Sequence, residues 1–300
     1  MPNSSNQPEP REHEPEKLLP PHLSRKYLGA EIASRLLNCA DLLAHQWTES
    51  SPINHFVLDD VLPTHAAAAI AQSFPEPRAM TLKKSLRERK YVAAQMNRFH
   101  PILEEAVYAF QDPDVINAIE KITRLPALEA DPHLYAGGIS LMSPGNFLNP
   151  HIDNSHDKSR QRYRVLNLLY YVSPEWTAER GANLELWPEG VDGPAKTIVS
   201  KFNRLVVMLT HRNSWHSVSK NMSNDDRCCV SNYFFSGVPI GNSHYYHVTE
   251  FRGRPDQPFR DATLRADNWL RTFIRTKLPW AFKNPHFYDV RPRNALPPRK

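Results

Sequence analysis

The stretch 134-LYAGGISLMSPGNFLNPHIDN-154 decides how this chain is read. Two apolar runs of strand texture flank a Pro-Gly turn, and the second run ends in His151, Ile152 and Asp153. On a strand alternate side chains share a face, so His151 and Asp153 point the same way. If that face is internal, an imidazole and a carboxylate are unfavourable there unless they are paired, protonated or bound to metal. The end of this strand is therefore the first place to look for chemistry.

Downstream the texture persists: "YRVLNLLYYV" (163–172), "ANLELWP" (182–188), "AKTIVS" (195–200), "RLVVMLT" (204–210), "WHSVSK" (215–220), "RCCVSNYFFSG" (227–237) and "HYYHVTEF" (244–251). Many short strands at this spacing, punctuated by Pro, Gly, Asn and Asp, argue a sandwich or jelly roll. Upstream the period is helical. Leu28, Ile32, Leu36, Leu43 and Trp47 predict one amphipathic helix over about 27–47. "NHFVLDDVLP" reads as a short strand and turn. "THAAAAIAQSFP", "RFHPILEEAVYAF" and "DPDVINAIEKITRLP" read as helices, the last with Asp112 as cap and Pro113 at the first helical position.

The expected fold is α+β: a double-stranded β-helix, or jelly-roll, core with N-terminal helices packed on one sheet. Residues 1–26, with six prolines, read as a disordered arm. Residues 27–283 read as a single domain: helical support over 27–130, the jelly-roll core over 131–250, and a C-terminal helix over 261–275. A basic, Pro-rich tail occupies 284–300.

The formal charge is +5, and the tail supplies four cations against one acid, so the body is close to neutral. A surface that tracks phosphates needs its cations clustered on the folded domain, which disfavours nucleic acid as a partner. Cys39, Cys228 and Cys229 are odd in number, and the adjacent pair points to opposite faces of a strand, so no disulfide framework is implied. The N-terminus has no apolar core of the signal-peptide kind, and no segment approaches about 18 uninterrupted apolar residues. The chain reads as cytoplasmic and not membrane-bound. Oligomeric state is left open.

A metal site needs a third partner for His151 and Asp153, and His211 and His216 in "VVMLTHRNSWHSV" are the candidates. Two histidines and one carboxylate bind one face of an octahedral ferrous ion and leave three positions open, which fits iron better than a closed zinc site. His216 is favoured because Arg227 follows it at the head of a strand and shares a face with Cys229 and Ser231. A guanidinium there is a bidentate anchor for a dicarboxylate. Singly, His151 could be an ordinary hydrogen-bonded histidine, and Arg227 a strand-end arginine paired with Asp225 or Asp226. Trp187 and Trp215 flank the site in sequence, and either could line a pocket or belong to the core.

With the His151-x-Asp153 pair, His216 and Arg227 in this order, the chain resembles the Fe(II)- and 2-oxoglutarate-dependent dioxygenases. "SPGNFLNPHIDN", "YRVLNLLYYVSPEWTAERGANLELWP" and "KFNRLVVMLTHRNSWHSV" are similar to segments of the prolyl 4-hydroxylase-like branch. The resemblance covers about 130–236. It implies Fe(II) held by His151, Asp153 and His216, 2-oxoglutarate on Arg227, and O2 as cosubstrate. The implied reaction is hydroxylation of a C–H bond in a small molecule, amino acid or peptide, with release of succinate and CO2. Met142 stands where that branch often has a Tyr touching the cosubstrate, so Tyr170, Asn167 and Ser231 are the further cosubstrate candidates. Asp153, in place of the small residue of halogenating relatives, favours hydroxylation. The rival readings are a non-catalytic jelly-roll binding module and a structural-metal protein.

Overall fold

Ser24 opens the first helix: its hydroxyl accepts from the Tyr27 amide, and α1 (Arg25–Asn38) follows with Leu28, Ile32 and Leu36 on its buried face. The computed structural model describes residues 19–277 other than 136, 242 and 243. Residues 1–18 of the expected arm and all of the tail at 284–300 lie outside the described residues. The end of the arm is ordered, since Pro21–Leu23 forms a 3-10 turn and Leu23 is buried. The helix expected over 27–47 is in fact two. Cys39, with φ of −111°, breaks it, and α2 (Ala40–Glu49) then lays Trp47 against Phe56 of β1 (His55–Asp59), ring centroids 6.3 Å apart.

After α3 (Thr64–Gln72) comes a charged hairpin, β2 (Thr81–Lys84) and β3 (Glu88–Ala93), inside the stretch expected as helical support. α4 (Pro101–Ala109) and α5 (Pro113–Thr123) each begin on proline, whose missing N–H is one the first helical turn leaves unbonded anyway. The Asp112 carboxylate caps α5 by accepting from the Asp114 amide at 2.9 Å. The remaining elements are β4 (Gly138–Met142), β5 (Phe147–Ile152), β6 (Tyr163–Tyr171), β7 (Leu184–Leu186), β8 (Lys196–Ile198), β9 (Arg204–Leu209), β10 (His216–Val218), β11 (Arg227–Ser236), β12 (Glu250–Phe251) and α6 (Pro258–Lys277). α6 begins three residues ahead of the expected helix. Of the run 244–251, only the last two residues form a strand.

The strands run in the order β1-β9-β6-β11-β4-β3-β5-β10-β7-β8, with β2 added to β3 and β12 to β5. β3 joins the two halves. Its residues Tyr91, Val92 and Ala93 pair with β4, while Glu88 and Arg89 pair with β5, so the sheet curls back on itself as a jelly roll. The helices cover the outer face of the first half, where Leu28, Ile32, Leu103 and Phe110 pack with Leu168, Tyr170, Val207, Val230 and Phe234. Each such side chain contributes about 1.5–3 kcal/mol by leaving water.

Strand parity assigns the two faces of β6. Leu166, Leu168 and Tyr170 meet the helices, and Asn167, Leu169 and Tyr171 face the interior. By the same count Arg164 belongs with the helix-facing set. β11, however, pairs Phe234 with Leu166 and Phe235 with Arg164, leaving Val165 as an extra residue. This bulge resets the parity and turns Arg164 inward.

Candidate metal centre

His151 lies near the end of β5 and Asp153 one residue beyond it. β10 pairs with both β5 and β7, and its first residue, His216, is the direct partner of His151. The two rings are 4.1 Å apart between centroids. Asp153 closes the triangle: its Oδ1 lies 3.8 Å from Nε2 of His151 and its Oδ2 lies 3.6 Å from Nε2 of His216. One ligand atom from each residue falls within 4.8 Å of the other two, and among the described residues no other group of three His, Cys, Asp or Glu does so.

The tautomers follow from the backbone. Nδ1 of His151 is 3.1 Å from the Asn149 carbonyl and Nδ1 of His216 is 2.9 Å from that of Ser214. A carbonyl only accepts, so each Nδ1 carries a hydrogen and each ring presents its Nε2 to the Asp153 carboxylate. Burial, reinforced by His216, lowers the His151 pKa to about 3 and keeps that ring neutral. The His151 lone pair and the Asp153 carboxylate converge in a buried place and repel one another, and a cation between them relieves this. The donor set, two imidazoles and one carboxylate, suits Fe(II).

Burial alone would raise the pKa of Asp153. The Arg164 guanidinium, with Nη1 3.2 Å from Oδ1, the histidines and the Asn167 amide, donating to Oδ2 at 2.7 Å, outweigh it and hold the carboxyl well below its usual range. Asn167 thus faces the cavity, with its amide N–H group committed to Asp153.

The triad opens on a cavity of about 1020 Å³ between the two halves of the sheet. Arg227, only 3% exposed, heads β11 on the cavity wall, its guanidinium 5.4 Å from the centroid of the Tyr171 ring. It makes no ion pair among the described residues, and the Asp225 carboxylate is taken by Arg180 at 2.5 Å. Ser231 lines the same wall. Tyr170 does not. It lies on the outer face of β6 against Phe110, its hydroxyl donating to Asn203 Oδ1 at 2.7 Å, because strand alternation cannot bring it and Asn167 to one face. Tyr171 takes that place, and its even spacing from Asn167 was the signal available.

Neither Trp187 nor Trp215 lines the cavity, and the Trp187 indole donates to Ser217 Oγ at 2.8 Å. His211 bonds the Pro52 carbonyl at 2.8 Å, away from the triad. Arg164 had no signal in the sequence, because only the bulge brings it inward.

Residues 137–235 match the family model described as the 2OG-Fe(II) oxygenase superfamily. Similar solved structures include a prolyl-4-hydroxylase from Pseudomonas putida (17% identity, 65% of this chain and 98% of that one, TM-score 0.47). A Trichoplax adhaerens prolyl hydroxylase in complex with a hypoxia inducible factor peptide fragment shares 16% identity (68% and 91% covered, TM-score 0.48). HygX from Streptomyces hygroscopicus, with nickel, 2-oxoglutarate and hygromycin B bound, shares 14% (64% and 86% covered, TM-score 0.44). No curated protein matches the chain.

Proposed function

We propose, from the premise that residues 137–235 belong to the 2OG-Fe(II) oxygenase superfamily, that His151, Asp153 and His216 hold the ferrous ion and Arg227 binds the far carboxylate of 2-oxoglutarate. The observation that carries this assignment is the pairing of a buried cluster of two histidines and one aspartate with a buried guanidinium that has no carboxylate partner among the described residues. With O2, iron(II) and 2-oxoglutarate supply oxidative decarboxylation to succinate and CO2, coupled to hydroxylation of a substrate C–H bond.

The chain's own part is to bind and to orient. The Asn149 and Ser214 carbonyls fix the two imidazoles with Nε2 inward. Asn167 and Arg164 hold the Asp153 carboxylate from either side. The Tyr171 ring lies beside the Arg227 guanidinium, while Ser231 adds a hydroxyl to the same wall. The apolar Met142, Leu169 and Leu184 exclude water around this end of the cavity.

The open cavity suits a small molecule, an amino acid or a peptide side chain as prime substrate. A structural-metal site needs no such cavity, and a binding module needs no buried, unpaired arginine. The test is succinate formation from 2-oxoglutarate by anaerobically iron-loaded protein on admission of O2, without prime substrate. Slow turnover in the wild type, absent in Arg227→Ala and Asp153→Ala, is expected. Equal turnover in the variants overturns the assignment.

A further inference from the structure

The His151 imidazole has a neighbour on each side along the sheet. β10 places His216 directly opposite it, and across the other edge of β5 the short strand β12 places Phe251 in the same register. Directly opposed residues share a face. The Phe251 ring lies nearly parallel to the imidazole, with 13° between planes and 5.2 Å between centroids. Phe251 is buried and lines the cavity, yet it lies beyond residues 137–235, outside the stretch matched to the family.

β12 is too short to hold that ring by itself. It has two residues, and although the Arg252 amide donates to the Pro150 carbonyl at 2.8 Å, Pro150 has no N–H to return a bond. α6 supplies what the ladder lacks. Asn268 Oδ1 accepts from the Phe251 amide at 3.1 Å and Nδ2 donates to the Phe251 carbonyl at 2.6 Å, so one side chain stands in for a neighbouring strand. These bonds turn the Phe251 backbone away from β5 and make Phe251 and His151 a non-hydrogen-bonded pair, the kind whose side chains come closest. Arg271 fixes the amide by donating to Oδ1 at 2.6 Å. The chain after β12 then runs so close to α6 that a Cβ on Gly253 would lie 2.6 Å from the Asp261 nitrogen. Asp267, beside Asn268, takes Arg87 of the β2–β3 turn, Nη2 to Oδ1 at 2.5 Å.

Resting on the metal assignment above, we propose that Asn268 is a positioning residue for the metal centre: it holds Phe251 in register, and the Phe251 ring fixes the plane of the His151 imidazole. The single hydrogen bond at Nδ1 sets the tautomer but lets the ring rock about it, and the stacked face restricts that motion. A helix outside the family match thus reaches the first metal ligand through one aromatic ring.

The test is anaerobic titration of the full chain with Mn(II), with the visible bands of the Co(II) protein as a second reading of ligand geometry. Phe251→Leu should weaken Mn(II) binding about twofold to tenfold, the size of an aromatic contact, and shift the Co(II) bands. Phe251→Tyr, which keeps the ring, should retain the wild-type affinity. Asn268→Leu should weaken Mn(II) up to the same factor, and Asn268→Asp, which still accepts from the Phe251 amide, should lose less. Because Asn268 acts through Phe251, the double Leu variant should bind no more weakly than the weaker of the two single ones. Should Asn268→Leu not fold, Asn268→Asp takes its place in the cycle. Tyr170→Phe, which loses a buried bond on the helix-facing side of β6, should leave both readings unchanged, and this separates positioning from a general loss of stability. Additive losses in the double variant, unchanged affinity and bands in a folded Phe251→Leu, or an equal change in Tyr170→Phe overturns the proposal. A wild type that binds neither ion overturns instead the metal assignment on which it rests.

Discussion

His216 stands directly opposite His151 across the β10–β5 ladder, and the carboxylate of Asp153 lies within 4 Å of Nε2 on both rings. A residue separated from the others by a long stretch of chain is thus placed by one backbone pairing. The strength of the site rests on that register, and each variant below reads one part of it.

Removal of a ligand is expected to abolish metal binding without unfolding the chain. His216→Ala and Asp153→Ala should each weaken Mn(II) or Fe(II) binding by at least about 100-fold, beyond the 10–100-fold typical of residues that only support a ligand. Anaerobic titration followed by equilibrium dialysis measures this. His211→Ala, outside the triad, should leave the affinity unchanged.

Arg227 is expected to act on the cosubstrate alone. Arg227→Met should raise the dissociation constant for 2-oxoglutarate by about 10–100-fold, the worth of a charge-assisted bidentate contact, with Mn(II) affinity preserved. Calorimetric titration of 2-oxoglutarate into the Mn(II) protein distinguishes this from a general loss of the site.

The adjacent tyrosines of β6 should behave differently. Tyr170→Phe loses the bond to Asn203 and should cost about 1 kcal/mol of stability, with 2-oxoglutarate binding unaffected. Tyr171→Leu removes the ring beneath Arg227 and should weaken 2-oxoglutarate roughly threefold to thirtyfold. If the two effects were exchanged, the facing assigned to β6 would be wrong.

Acid should destabilise the metal-free protein well above the carboxylate range. The unfolded chain protonates His151 near pH 6.5, whereas burial and His216 lower its folded pKa to about 3. Between those values the unfolded state holds the extra proton, so stability falls as pH drops through the window. Burial lowers His55, His211 and His247 in the same direction. Tm should therefore decline between about pH 6.5 and 5, and less steeply in His151→Asn.

Much of this was legible in the sequence because two periodicities carried it. Strand alternation put His151 and Asp153 on one face, and the run of short strands implied the jelly roll. Three features escaped for physical reasons. The hairpin 81–93 is rich in Lys and Arg, so its alternation does not register as hydrophobic pattern. Tyr170 and Tyr171 are chemically alike, and only counting from Asn167 separates them. Arg164 faces inward through the bulge at Val165, which pairing with β11 creates and no local sequence announces.

The most direct measurement is a crystal structure of the full chain with Mn(II) and 2-oxoglutarate, the ion located by anomalous scattering. It should place the ion between Nε2 of His151, Nε2 of His216 and one oxygen of Asp153, with the distal carboxylate of 2-oxoglutarate on Arg227. An ion bound elsewhere, or a cosubstrate whose far carboxylate lies on Arg164 with Arg227 untouched, would contradict the account.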